Sequence, residues 1–140
     1  MRVVLDTNIL VSALMVQTSP PAIAYQAWLG GAFTLLSCEK QIEELRRTFS
    51  KPALVPARIR SYEAGRLVND LRALAEMIGS LPPVERSSDP DDDFLLALAE
   101  MGKAHYLVTG DKSGLLSLSR HQGTRIITVR NFVEGLQQRP

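Results

Sequence analysis

The chain has one cysteine, Cys38, and two histidines, His105 and His121. No internal disulfide can form, and a zinc cluster would need all three residues together. Neither kind of staple is therefore expected, and 140 residues suffice for an ordinary apolar core. Long hydrophobic runs are also lacking. No segment approaches the roughly 20 apolar residues that span a bilayer. The stretch from Val3 to Val16 is interrupted by Asp6, Thr7, Asn8 and Ser12, and only Arg2 precedes it, so it does not read as a secretory signal. With a single cysteine, this sets the expectation of a reducing, cytoplasmic compartment. An excess of one charge is missing as well: the net charge is +1. Any contact with nucleic acid must then come from local basic clusters and not from the overall balance.

What is present fits one soluble domain, expected over residues 1–140, with 45% hydrophobic and 22% charged residues. Arg2-Val3-Val4-Leu5 is a short buried-type strand that stops at Asp6. Asn8 to Val16 reads as a helix, and Ser19-Pro20-Pro21 starts another that Gly30-Gly31 ends. Phe33 to Leu36 is a second strand, and Ser37 is an N-cap candidate for a helix carrying Ile42, Leu45 and Phe49 on one face. A helix is expected from Ala57 to Ile78, then an edge segment at Leu81-Pro82-Pro83-Val84. Phe94 to Met101 is nearly all apolar and reads as a buried helix. Tyr106 to Thr109 and Arg125 to Val129 are strands, and Phe132, Val133 and Leu136 mark a closing helix. The alternation predicts an α/β fold with a parallel sheet between helical layers.

Two of these strands run into an aspartate, at Asp6 and at Gly110-Asp111. In parallel sheets, ligands bind just beyond the strands' carboxyl ends. A divalent cation would explain why apolar strands deliver carboxylates there, because Mg²⁺ prefers hard oxygen ligands. Glu39, Glu43 and Glu44 share one helix, and Glu44 adjoins its apolar face. Asp89-Pro90-Asp91-Asp92-Asp93 opens the most apolar helix. Four acids exceed what capping requires, and a pair ~5 Å apart repels by roughly 3 kcal/mol at an effective dielectric near 20. Each acid also has an ordinary reading: Asp6 and the Asp89–Asp93 run as caps, the glutamates as a solvated face, Asp111 as a turn residue.

Val3-Val4-Leu5-Asp6-Thr7-Asn8-Ile9-Leu10-Val11-Ser12 resembles the opening motif of PIN domains (PilT N-terminus). Ser37 through Glu44-Leu45 resembles that family's second motif. Asp89 to Asp93 with the apolar helix, and Tyr106 to Asp111, resemble its third and fourth. The ordered set is most similar to prokaryotic PIN proteins that act as toxins of toxin–antitoxin pairs. The resemblance implies a three-layer α/β/α sandwich and Mg²⁺- or Mn²⁺-dependent hydrolysis of RNA. It further implies a metal site of Asp6, Glu44, Asp92 and Asp111, with Asn8 and Thr109 as polar supports. Asp92 is chosen by its register with the apolar helix, and Asp93 is the rival. Many relatives carry a further acid soon after the fourth aspartate; here Ser113 and Gly114 follow Lys112, which implies one tightly held metal rather than two. RNA would need basic residues around the acids: Arg46, Arg47, Lys51 and Lys112, with Arg58, Arg60 and Arg120 further candidates. A toxin also implies a small antitoxin partner, and the family a homodimer. The alternative is an inactive PIN-fold module that binds RNA or protein. An aspartyl-phosphate enzyme fits poorly, since its second Asp would stand where Asn8 does.

Overall fold

In the computed structural model, residues 1–51, 59–110 and 114–138 are described. Among these residues, six strands form one sheet: β1 Arg2–Leu5, β2 Thr34–Ser37, β3 Glu76–Met77, β4 Tyr106–Thr109, β5 Arg120–His121 and β6 Thr124–Thr128. Their order is β3-β2-β1-β4-β6-β5, and every pair is parallel except the β5/β6 hairpin. The helices are α1 Thr7–Ser12, α2 Pro20–Leu29, α3 Glu39–Phe49, α4 Ser61–Leu74, α5 Asp93–Met101 and α6 Val129–Gln137.

The period-two pattern of the strands creates two apolar faces. Val3, Leu5, Leu35 and Val108 face one cluster, built with residues of α1, α2, α3, α4 and α6. Val4, Leu36, Leu107 and Ile126 face the other, where Phe94, Leu95, Leu96, Leu98 and Ala99 of α5 pack. Helices thus cover both faces, giving the expected three-layer α/β/α arrangement. α5 is apolar almost all round because Leu115, Leu116, Leu118, Leu81 and Val84 also pack against its cluster. At its end, Gly102 lies against β2: a Cβ there would stand 2.6 Å from Leu36 Cδ1. A side chain at that position would therefore force the buried Leu36 to shift.

Four local expectations need correction. The first helix spans only Thr7–Ser12, because turns follow before Ser19 caps α2 by accepting from the Ala22 N–H. Cys38, not Ser37, occupies the N-cap position of α3; the Ser37 hydroxyl instead donates to Gln41 Oε1 at 2.6 Å. α4 begins at Ser61 and stops at Leu74, since Ala75 turns extended and Glu76-Met77 pairs with β2. The expected helix start at Ala57 lies outside the described residues. Leu81 to Val84 is no strand: Pro82 and Pro83 have no N–H to give a ladder, and the segment covers α5 instead. The short β5 had no counterpart in the sequence reading, because two residues carry no alternation to detect.

The strand order places β1 and β4 side by side with their neighbours running outward on either hand. This is the point where an α/β sheet opens a crevice at its carboxyl edge. Asp6 follows directly on β1, and Thr109 is the last residue of β4. Among the described residues, no helix is long and apolar enough to cross a membrane.

Candidate active site

Asp6 leaves β1 at φ −54°, ψ 143° and serves as N-cap of α1. Its Oδ1 accepts from the Asn8 backbone N–H at 3.2 Å. Its Oδ2 accepts from the Thr109 hydroxyl at 2.8 Å, across the β1/β4 junction. The residue is 6% exposed, and Thr109 is fully buried. Burial pushes the Asp6 carboxyl above its ordinary range, while Thr109 and the Asn8 N–H pull it back. The capping reading of Asp6 is therefore correct, but incomplete. Capping does not require a buried carboxylate, and a serine or asparagine would serve. Of Asn8, it is the backbone that supports Asp6; the residue itself is exposed.

α3 reaches this edge through Gln41, which is fully buried. Its Nε2 donates to the Leu5 carbonyl at 2.8 Å and to Thr7 Oγ1 at 3.4 Å, while its Oε1 accepts from Ser37. One side chain thus ties the ends of β1 and β2 to the first turn of α3. Sequence reasoning missed Gln41; the only signal was a polar residue next to the apolar Ile42. Gln41→Met keeps the length but removes these bonds, and should lower stability by about 1–3 kcal/mol. Equilibrium denaturation measures this, and an unchanged midpoint would contradict the bridging role.

Glu44 is half-buried, one turn further along α3, whereas Glu43 is exposed. Burial raises its carboxyl first; Lys40 and Arg47 lower it, and the charges of Asp91 and Asp6 raise it. Glu39 is engaged elsewhere, accepting from Arg72 of α4 at 2.7 and 3.0 Å. The three glutamates of this helix therefore divide: Glu39 braces α4, Glu43 is solvated, and Glu44 sits within electrostatic reach of Asp6.

The acidic segment divides in the same way. Asp89 caps a short 3₁₀ turn, Pro90–Asp92, by accepting from the Asp91 N–H at 3.0 Å. Asp93 Oδ1 accepts from the backbone N–H groups of Arg86 and Ser87, at 3.2 and 2.7 Å. Asp92 makes no side-chain cap, although it begins α5. Its carboxyl is pushed up to about 6, first by burial and then by the charges of Asp6, Asp89, Glu44 and Asp91. Among the described residues, no ion pair joins Asp6, Glu44 or Asp92 to a basic side chain. Nor do three acidic, histidine or cysteine residues among them stand close enough to enclose one ion.

Asp111 and Lys112 lie outside the described residues, but both flanks of 111–113 reach the same edge. Thr109 holds Asp6, and Gly114 abuts the acidic segment, where an added Cβ would meet Ser88 Oγ. Arg46, Arg47 and Lys51 are exposed on the outer face and end of α3. Lys40, which sequence reasoning passed over, stands 5.6 Å from the Phe94 ring centre and near Glu44. Arg58 is outside the described residues, Arg60 precedes α4, and Arg120 lies on β5. The histidines and cysteine play no part here: His105 accepts from the Arg2 N–H, His121 is buried against Glu100, and Cys38 is a buried thiol.

A family model described as PIN domain matches residues 2–113, a span that contains Asp6, Glu44, Asp92 and Asp111. The chain belongs to the PIN-domain family. Members of this family are generally nucleases and typically use divalent metal ions. Among curated proteins, none matches the chain significantly. The family, the mostly parallel sheet and its helical layers agree with the expectation drawn from the motifs.

Proposed function

We propose that this PIN domain is a Mg²⁺- or Mn²⁺-dependent endoribonuclease, acting as the toxin of a toxin–antitoxin pair. The observation that carries the nuclease reading is the state of Asp6. It is a carboxylate held in place by Thr109 and the Asn8 N–H, buried, and facing the charges of Asp92 and Glu44 with no basic partner among the described residues. Like charges gathered in this way favour a cation of hard character. Asp6, Glu44, Asp92 and Asp111 are the residues assigned to hold it, with Asp93 set aside because its carboxylate already serves Arg86 and Ser87. When bound, such a cation polarises the phosphate, activates water and stabilises the leaving oxygen.

The remaining work falls to the chain's own groups. Thr109 and Asn8 orient Asp6, and Gln41 fixes the helix that presents Glu44. Arg46, Arg47, Lys51 and Lys112 are assigned to the RNA backbone, where they position a strand without reading its sequence. The serine and glycine after Lys112 favour a single tightly held ion. A small antitoxin and a second copy of the chain are the proposed protein partners.

The test is cleavage of an unstructured RNA with Mg²⁺, Mn²⁺ or EDTA. Metal-dependent cleavage is expected, and RNA binding without cleavage would favour the second reading, an inactive PIN-fold binding module. That reading draws on the open spacing of the described carboxylates. The basic residues have their own test. Arg47→Ala with Lys51→Ala should weaken binding alike for all sequences and reduce the salt slope by about 1.4, at roughly 0.7 per lost phosphate contact. An unchanged slope would remove these two residues from the interface.

A further inference from the structure

At the opposite end of the sheet from Asp6, the β5/β6 hairpin sets two arginines directly across from each other. Arg120 pairs with Arg125 in antiparallel register, so both side chains leave the same face. Like charges opposed in this way destabilise a strand pair unless something lies between them. Both residues are exposed, and neither has an ion-pair partner among the described residues.

They line one cavity of ≈ 340 Å³ together with Met1, His105, Tyr106 and Gly123. Among the described residues, no acidic one contributes to that lining. His105 adds a donor of defined identity. Its Nδ1 accepts from the Arg2 backbone N–H at 3.0 Å, so in the neutral ring Nε2 carries the hydrogen. The backbone beneath is fixed: His105 donates to the Arg2 carbonyl at 2.8 Å, and Arg125 donates to the His105 carbonyl at 3.0 Å. Arg86 Nη1 also donates to the Arg120 carbonyl and to buried His121, at 3.2 and 2.8 Å. The Arg120 and Arg125 guanidinium groups and the His105 Nε2–H thus all present donors to this cavity.

From this geometry we propose that the cavity formed by Arg120, Arg125 and His105 is an anion site for a phosphate monoester or inorganic phosphate. Two guanidinium groups offer two positive charges and paired N–H forks, and the imidazole offers a third direction of approach. A phosphate monoester near neutral pH carries about −1.5 to −2 charges on three terminal oxygens, which matches that set better than a carboxylate. Arg120, Gly123 and Arg125 lie beyond residues 2–113, the span matched by the family. The site is independent of the carboxylates at the other edge, and so of the nuclease reading.

The experiment is a titration of the full chain, followed by backbone amide resonances, with inorganic phosphate, adenosine monophosphate and acetate. Both phosphates should give saturable shifts centred on His105, Gly123 and Arg125, and acetate should bind at least tenfold more weakly. Tighter binding of the nucleotide would name its phosphate as the natural source, and equal binding would name the free ion. R120Q/R125Q should weaken phosphate binding at least tenfold, while its metal-free melting temperature should rise as the opposed charges are removed. Should that variant not fold, R120Q alone must weaken binding at least threefold. Asp6→Asn should bind phosphate as the parent does. Unaltered phosphate affinity in the arginine variant, acetate binding as tight as phosphate, or no saturable shift would overturn the proposal.

Discussion

Asp6→Asn should abolish RNA cleavage in a protein that remains folded. Asparagine caps a helix as well as aspartate does, so α1 keeps its bond from the Asn8 N–H. With that oxygen so used, the amide NH₂ takes the place of Oδ2, and the Thr109 hydroxyl turns to accept from it. The negative charge is lost, and the Thr109 bond reverses direction. Removing a supporting hydrogen bond near a metal costs roughly 10–100-fold in affinity or activity, and losing a charged ligand should exceed that. Because burial holds the Asp6 carboxyl above its ordinary range, the substitution should not lower the melting temperature of the metal-free protein near neutral pH. Single-turnover cleavage rates, set beside thermal unfolding, separate the two roles. Parental rates in folded Asp6→Asn would refute the assignment, and unfolding would show that Asp6 is mainly structural.

The second large effect concerns Asp92 and pH. Its carboxyl is pushed from 3.8 up to about 6, by burial first and then by neighbouring acids. A group whose folded value is raised contributes stability that is present below its unfolded value. That contribution is lost as pH rises through the folded value. The metal-free protein should therefore lose stability between about pH 4 and pH 7 on account of Asp92. Asp92→Asn should remove that loss. The variant should be more stable by about 1 kcal/mol above pH 6, once solvent screening of a half-exposed group is allowed for. That is about 3–4 °C in melting temperature for a chain of this size. Below pH 4 the difference should vanish. Cleavage should move the opposite way, since Asp92→Asn loses a ligand. In the parent, activity should fall as pH drops through 6, and higher Mg²⁺ should shift that midpoint downward because the cation competes with the proton. A midpoint indifferent to Mg²⁺ would instead mark a group that does not touch the metal.

These two residues also show what the sequence made legible. Asp6 was readable because an apolar strand cannot end in a buried carboxylate without a reason, and Val3-Val4-Leu5 defines that strand unambiguously. The sheet was readable for a like reason: its central strands are short runs dominated by Val and Leu. The choice between Asp92 and Asp93 was not readable. Both lie at the start of α5, and only the folded chain shows Asp93 Oδ1 accepting from the Arg86 and Ser87 N–H groups. The sorting of Glu39, Glu43 and Glu44 depended likewise on where Arg72 of α4 arrived, across 33 residues of chain. Gln41 was invisible because its partners, Leu5 and Thr7, are equally remote in sequence. The β5/β6 hairpin escaped notice because pairing, not periodicity, defines a two-residue strand. Long-range contacts therefore decided the details of the site, while local pattern sufficed for the architecture.

The two ends of this sheet differ in kind. Around β1 and β4 the acids gather; around β5 and β6 the arginines do. In the proposed nuclease, the first end carries the chemistry. Its most direct test is a crystal soaked in Mn²⁺ and measured for anomalous scattering. The account predicts a peak bonded to Asp6 and Asp92, with Glu44 and Asp111 completing the site directly or through water. A peak elsewhere, or none at these carboxylates at saturating Mn²⁺, would contradict it.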